Sequence, residues 1–480
     1  MTDTVNRPSL TFLSTADRDR IYRAALEILD RIGMRIHHPE ALRLLADANC
    51  PVTDETLVRI PADRVEAALR SAPSSIPVFD RTGATAMDLG GHRSYFGTGS
   101  DLMYTLDPTT GERRLSVLDD VARAARVCDA LPNIDFIMSS AHPSDIPPHR
   151  AYLESIRTMA ENSVKPIVCT AECRDDLAEM GELARTLRGG DQALREQPYL
   201  IHYAEPISPL KHPFNSLDKL LYCAEAGIPA IYSPAPIAGS TAPMTVAGHV
   251  AQGLAESLCG LVIHQLKAEG APFLMGMGAA VLDMATGQCS YNAPEYYLAY
   301  MGIIEMSHHF DLPSWGYAGT SDSQIPDGQA TLEAGMLTFM AGLAGANLNH
   351  DVGYLDFGLT GSLEMVVISD EIIDQVRRLL RGIPVDEETL GVSAVAEAGP
   401  GGHFLTHPHT LKHLRSTQWR PKLLSRAGHE KWSATGSLSL LDRARGRLAE
   451  ILETHQPAPI DERTLQVIRK RVARFKATGL

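Results

Sequence analysis

The chain has 480 residues, 44% hydrophobic and 21% charged, with 44 Lys and Arg against 58 Asp and Glu. That is a globular composition, and the net balance of −14 argues against nucleic acid or an anionic membrane as main partner, since either needs a concentrated basic surface. No run approaches the ~20 consecutive apolar residues of a membrane span, the N-terminus lacks the pattern of a signal peptide, and the 7 scattered cysteines fit a reducing compartment; a cytoplasmic location is expected.

Residues 1–93 read as a helical N-terminal extension, with TADRDRIYRAALEILDRIG and PADRVEAALRSAP at helical spacing and a short extended piece, IPVFD, at its end. Over residues 94–382 one unit recurs: a short apolar run, a polar or Gly/Pro-rich loop, then a longer amphipathic stretch. The runs are SYFGTGS, IDFIMSS, KPIVCTA, PYLIHYA, IPAIYSP, PFLMGMG, PSWGYAG and ANLNHDVG. They start roughly 30 to 45 residues apart, the length of a βα unit. In AGIPAIYS, EGAPFLMG and AGANLNH the glycine reads as a helix C-cap leading into a strand. Near-continuous apolar strands alternating with helices imply a parallel sheet covered by helices, and eight units imply an α/β chain closed into a (β/α)8 TIM barrel. FGTGSD lacks the glycine spacing of a dinucleotide fingerprint. Residues 383–480 read as a helical C-terminal extension, with LLDRARGRLAEILETH and ERTLQVIRKRVARF its clearest amphipathic stretches. Either flank offers surface for a homo-oligomer.

In a barrel, function sits in the loops after the strands. Those loops collect Tyr203, Tyr232, Tyr291, Tyr296 and Tyr354, with Phe96 and Phe357, in a chain whose aromatic content is only 6%. Glu172, Glu205, Asp322 and Glu364 share the face with few Lys or Arg, which argues against a phosphorylated substrate. An aromatic and acidic pocket suits a cation, above all a quaternary ammonium held on ring faces. The alternative reading of each tyrosine is packing, with its hydroxyl in water. His403, His407 and His409 have the look of a metal cluster but lie past the eighth strand without cysteine support, so no metal is expected on this chain.

The strings SPAPIAGSTAPMTVAGHVAQGLAESLCG, GTSDSQIPDGQATLEAG and GPGGHFLTHPHTLKHLRSTQWRPKL, in that order, resemble the trimethylamine methyltransferase family of corrinoid-dependent enzymes. The resemblance implies a (β/α)8 barrel that moves a methyl group from an amine to the cobalt of a corrinoid (cobalamin) carried by a separate protein. Archaeal trimethylamine enzymes of the family carry pyrrolysine in the strand-seven loop. This chain has ordinary residues there, with Gln324 at or beside that position, which resembles the non-pyrrolysine members that demethylate glycine betaine, proline betaine or carnitine. The chemistry agrees: attack by Co(I) on a quaternary ammonium expels a neutral tertiary amine, with no proton to move. Catalysis is then mainly positioning.

The expected roles follow. Phe96, Tyr203, Tyr232, Tyr354 and Phe357 form the cage; Gln324, His350, Asn349 and His202 supply donors for a betaine carboxylate; Glu205 sets the local potential or orients a histidine. Gln324 and His350 are the candidates nearest the chemistry, and Asp322, Asp327 and Gln329 are read as loop scaffold. Other outcomes are a different methyl donor, tertiary amine or sulfonium, or a non-catalytic betaine-binding protein.

Overall fold

The structure, a computed structural model, describes residues 8–475. The eight apolar runs form short parallel strands: β1 (Tyr95–Phe96), β2 (Ile137–Met138), β3 (Ile167–Cys169), β4 (Leu200–Ala204), β5 (Ala230–Tyr232), β6 (Phe273–Met275), β7 (Trp315–Tyr317) and β8 (Leu348–His350). Strands β2 to β6 make one five-stranded sheet in chain order, and β7, β8 and β1 make a three-stranded sheet. Parallel bridges between Gly97 and Phe136, and between Met275 and Ser314, link the edges of the two sheets. A helix follows each strand: α1 (Leu118–Ala130), α2 (Pro148–Asn162), α3 (Arg174–Arg188), α4 (Phe214–Ala226), α5 (Val246–Lys267), α6 (Pro294–His309), α7 (Gly328–Ala344) and α8 (Leu363–Leu380). The fold is α/β.

Local chemistry sets the helix ends. Asp327 caps α7 by accepting from the Ala330 N–H, and Ser362 caps α8 by accepting from Met365. Helices α4 and α7 end on Gly227 and Gly345 with φ of 71° and 76°, the left-handed conformation expected of C-cap glycines. The third expected cap differs. Helix α5 ends at Lys267, Ala268 is already extended, and Gly270 falls in the turn beyond it.

The strand pleat divides the side chains into two cores, because successive residues point to opposite faces. Phe136, Met138, Val168, Ile201, Ile231, Leu274, Trp315 and Leu348 share an inner cluster, with Tyr95 and Tyr203 against it. Alternate residues such as Phe96, Ile137, Ile167, Leu200, Tyr232 and Phe273 join the larger outer cluster with the helices. A hairpin of Ser75–Phe79 and Thr85–Gly90 contributes Ile76, Val78, Met87 and Leu89 to the inner cluster. The Phe79 N–H donates to Pro198 and the Arg81 N–H to Val164, residues just before β4 and β3. The hairpin therefore seals the N-terminal end of the strands.

Helices Thr15–Glu27 and Ala62–Ser71 of the N-terminal region pack on α5. Short strands join them there, among them Met34–Ile36, which pairs with Lys211–His212 from the loop after β4. Helix α5 has the length and composition of a membrane span, a pattern that run-length reading misses because polar residues interrupt it. Yet 83% of its apolar window is buried inside the protein, so it is accounted for as a core helix. At the other end of the chain, Leu440–Thr454 packs on α8 and α1, and Glu462–Arg474 on α2 and α3. Ion pairs Arg469–Glu161, at 2.8 Å, and Arg471–Glu179 tie the last helix down.

Candidate functional site

With one end sealed by the hairpin, the inward-facing residues above the apolar layer line the open, C-terminal end of the strands. The period of two picks them out. On β4 the inward series runs Ile201, Tyr203, Glu205; on β7 it runs Trp315, Tyr317; on β8 it runs Leu348, His350.

These residues touch. The His350 ring stacks on Trp315, with centroids 4.1 Å apart and planes 15° from parallel, and tilts against Tyr317 at 4.5 Å. Tyr203 completes the aromatic wall, 5.6 Å from Trp315 and 6.4 Å from His350. Its hydroxyl donates to Glu205 Oε2 at 2.8 Å. Glu205 is accessible at the opening, but the protein crowded around it raises its carboxyl above the usual range, against the opposing effect of the Tyr203 hydrogen bond.

Asp351 brings a second carboxylate. Its Oδ1 lies 2.5 Å from His350 Nδ1, a close polar contact without the alignment of a hydrogen bond, and His350 Nε2 is buried with no partner. Asp351 holds a left-handed φ of 76°, and Gly99 makes room for it. A Cβ on Gly99 would stand 2.3 Å from Asp351 Oδ1 and 2.4 Å from the Tyr354 hydroxyl. That hydroxyl donates to the Ser100 carbonyl at 2.7 Å. Burial first, and the Asp351 charge second, push Tyr317 and Tyr354 well above the ordinary tyrosine value, so both remain neutral. Tyr291 and Tyr296 pack behind them, with Tyr296 edge-on to Tyr317 at 5.8 Å.

Asp101, in the β1 loop, is a third acidic group. It accepts from the Thr170 hydroxyl, and burial pushes its carboxyl up to about 6 despite that bond and one from Ser139. Lys219, the cation whose field reaches Glu205, donates to the Ala171 carbonyl at 2.5 Å. Among the described residues no group of three or more His, Cys, Asp or Glu could hold a metal ion.

The sequence-predicted residues fall into three sets. Tyr203, Glu205 and His350 come together in the inward wall, and Tyr354 flanks it beside Asp351. Gln324 and Phe357 stand on the surrounding loops. Gln324 is exposed, its amide donating to the Asp322 carbonyl at 3.0 Å, and Phe357 is half-buried with a φ of 54°. The surrounding loop is a scaffold: Asp322 accepts from Ser290 and from the Tyr291 N–H, and Asp327 accepts from Ser323 as well as capping α7.

Four of the expected residues are not brought to that wall. Phe96, His202, Tyr232 and Asn349 point outward, into the helical layer. Phe96 lies under the Arg377 guanidinium, 5.9 Å away. His202 Nδ1 faces Cys169 Sγ at 3.8 Å, and burial lowers its pKa so that the ring stays neutral. The Tyr232 hydroxyl meets His212 Nδ1 at 2.7 Å, and its ring lies on Gly260 of α5, where an added Cβ would stand 2.2 Å away. Asn349 Oδ1 accepts from the Tyr300 hydroxyl at 2.9 Å, and its amide donates to Tyr95 and Ala346 carbonyls. The cause is the pleat: taking a strand end as a block counts both faces. The same count in steps of two reaches Trp315 and Tyr317, which the sequence reading passed over; Asp351, one residue past β8, falls off that count and comes inward only through its left-handed backbone. The histidines of the C-terminal region are occupied locally: His407 pairs with Glu397 at 3.2 Å, and His409 meets the Glu388 carbonyl at 3.4 Å.

Known proteins agree with this architecture. The chain is 31% identical to trimethylamine methyltransferase MttB of Desulfitobacterium hafniense (strain DSM 10664 / DCB-2) over 453 residues, covering 94% of this chain and 91% of the relative. It is 30% identical to the glycine betaine methyltransferase of D. hafniense strain Y51, covering 95% of both chains. In fold it is similar to the Methanosarcina barkeri monomethylamine methyltransferase, with a TM-score of 0.52 at 14% identity over 92% of this chain and 89% of that one. The trimethylamine methyltransferase (MTTB) family model matches residues 2–479, and the chain belongs to that family.

Proposed function

We propose that this chain transfers a methyl group from a quaternary amine, glycine betaine or a related betaine, to the Co(I) corrinoid of a separate protein. In this reading the two parallel sheets, linked at both edges by strand bridges, act as one closed (β/α)8 barrel over residues 94–382, with its pocket at the open end. One observation carries the substrate class: the open end gathers the rings of Tyr203, Tyr317 and His350, backed by the buried Trp315, together with the carboxylates of Glu205 and Asp351. Ring faces hold a trimethylammonium group by about 0.5–2 kcal/mol each, depending on desolvation. They do so without the tight carboxylate pairing that would oppose loss of charge from the substrate as the C–N bond breaks.

The unpartnered His350 Nε2 supplies the second half of the recognition. A buried polar atom left unpaired costs roughly 1–3 kcal/mol, which a ligand that bonds it recovers. With Asp351 against Nδ1, Nε2 is the ring nitrogen left to meet a betaine carboxylate. Tyr203 and Glu205 fix the opposite side. Gln324, on the rim, closes the pocket from the strand-seven loop. The corrinoid is the acceptor substrate, delivered by its own protein to the open end.

The test is spectroscopic. The protein is mixed with reduced cob(I)alamin and glycine betaine, proline betaine, carnitine, γ-butyrobetaine, choline or trimethylamine, with the acceptor protein supplied in parallel. Loss of the Co(I) spectrum with a betaine and not with trimethylamine is the expected result. Turnover of trimethylamine alone would move the assignment to a tertiary amine, and affinity for betaine with no methylation in either format would make the chain a binding protein.

A further inference from the structure

The aromatic wall is held from behind, at the seam between the two sheets. Strand β6 is the edge of the five-stranded sheet and β7 the edge of the three-stranded one. They meet at the Met275–Ser314 bridge. Beyond it the chain after β6 bonds to the β5 side, where the Gly278 N–H donates to the Pro234 carbonyl at 2.8 Å. The Ala318 N–H donates to the His350 carbonyl on β8, and successive amides of a strand point to opposite edges. The Tyr317 N–H therefore faces the seam, as an edge donor in need of a partner.

Helix α6 supplies that partner with one phenol. The Tyr317 N–H donates to the Tyr300 hydroxyl at 3.0 Å, and that hydroxyl donates to Asn349 Oδ1 at 2.9 Å. The Asn349 amide donates in turn to the Tyr95 carbonyl at 3.0 Å and to the Ala346 carbonyl at 2.8 Å. Both amide hydrogens are thus used, which leaves the oxygen for the phenol. Tyr300 and Asn349 are fully buried, and burial raises the Tyr300 phenol above its ordinary value, so it keeps the proton it donates. Gly316 makes the approach possible. It lies within β7 without a left-handed φ, so close approach is what its missing side chain serves. An added Cβ would stand 2.3 Å from the Tyr300 hydroxyl and 2.6 Å from Asn349 Oδ1.

The network ties β7, β8 and β1 together at the level of the pocket. Tyr317 and His350 are register partners on β7 and β8, with rings 4.5 Å apart. The Tyr300 ring stands edge-on to the Tyr317 ring, centroids 5.6 Å apart and planes at 85°. We propose that Tyr300 is a positioning residue for this wall: its hydroxyl sets the place of Tyr317 and, through Asn349, that of His350. The proposal rests on the methyl-transfer reading above. Tyr300 itself touches no substrate, being buried behind the strands. Where catalysis is a matter of aim, such a tie acts on kcat, whereas an ordinary buried hydrogen bond acts on stability alone.

Tyr300→Phe keeps the ring and deletes the hydroxyl; Gly316→Ala keeps the hydroxyl and displaces it. Tyr232→Phe is the matched control, since it also deletes one buried hydroxyl from the outer face. Kinetics are measured with glycine betaine and reduced cob(I)alamin. Fluorescence is measured in a Trp419→Phe/Trp432→Phe background, where Trp315 is the single tryptophan. Tyr300→Phe and Gly316→Ala are each expected to lose on the order of 10-fold in kcat, below the ~100-fold that a 1 Å misplacement can cost, with KM little changed. Their Trp315 emission shifts to longer wavelength and becomes quenchable by acrylamide, while Tyr232→Phe changes neither kcat nor emission. Wild-type kcat in both variants overturns the proposal, as does an equal loss in Tyr232→Phe. If the wild type transfers a methyl group from no amine, the function proposed above fails and the emission decides. An unchanged spectrum in both variants then overturns the positioning role, and a shift confined to those two upholds it. If Tyr300→Phe does not fold, Gly316→Ala carries the same comparison.

Discussion

The two ends of the strands are built from the same eight segments and do opposite work. At the hairpin-sealed end Ile201, Trp315 and Leu348 interdigitate with Ile76, Val78, Met87 and Leu89 in a closed apolar cluster. Two residues further along the same strands the inward positions become Tyr203, Tyr317 and His350, with Glu205 and Asp351 beyond them. The first layer is apolar except for the buried, unpartnered Trp315 indole nitrogen. The second leaves His350 Nε2 unpartnered, a carboxylate 2.5 Å from Nδ1, and a buried acid at Asp101. A single pleat period separates stability from chemistry, and the stacking of His350 on Trp315 is where the two layers meet.

The largest expected effect lies in that junction. His350→Ala removes the nitrogen assigned to the betaine carboxylate, and hydrogen bonds to charged groups are worth about 1.5–3 kcal/mol. A loss of roughly 10- to 100-fold in kcat/KM for glycine betaine is expected, carried mostly by KM, while tetramethylammonium, which has no carboxylate, changes little. Equal losses on both substrates would show that the histidine serves the wall as a packing partner and that the carboxylate is read elsewhere.

Asp101 sharpens the comparison through stability. Its carboxyl is raised to about 6 by burial, so the folded state binds this proton more tightly than the unfolded chain does. The stabilisation is complete below the unfolded value near 4 and is lost as pH rises through about 6, amounting to at most about 3 kcal/mol for a shift of two pH units. Thermal unfolding of wild type and Asp101→Asn between pH 4 and 7 measures it. The wild type is expected to lose melting temperature relative to the variant across that interval. Parallel curves would remove Asp101 from the count of strained groups at the open end.

Much of the fold was legible because its signals are local. Eight apolar runs became eight strands, and Gly227 and Gly345 ended their helices as their sequence context indicated. Gly270 did not, since helix α5 stops three residues earlier, and only the contacts around α5 show why so apolar a helix is a core element. The site was half legible. Tyr203, Glu205 and His350 were reachable because loop position and residue type coincide there. Phe96, His202, Tyr232 and Asn349 share the loop position but sit on the other face of the pleat, and no composition argument carries that sign. Trp315 was within reach, since it stands two residues before Tyr317 on an apolar strand. Asp351 was not, because its side chain comes inward through a left-handed backbone that Gly99 accommodates.

The smallest expected effect separates the two faces of the pleat directly. Tyr203→Phe and Tyr232→Phe each delete one hydroxyl. On the inner face the loss frees Glu205 from its 2.8 Å donor, removing an interaction that lowers that carboxyl's pKa, so the acidic limb of the activity profile should move to higher pH. On the outer face the loss breaks the 2.7 Å bond to His212, a neutral hydrogen bond worth about 1 kcal/mol of stability, while substrate affinity and the pH profile stay as in the wild type. Urea unfolding and the pH dependence of kcat/KM, measured on both variants, give the two readouts. A shifted pH profile in Tyr232→Phe, with Tyr203→Phe silent, would mean that β4 and β5 present the opposite faces to the pocket, and the inward wall would have to be redrawn around His202 and Tyr232.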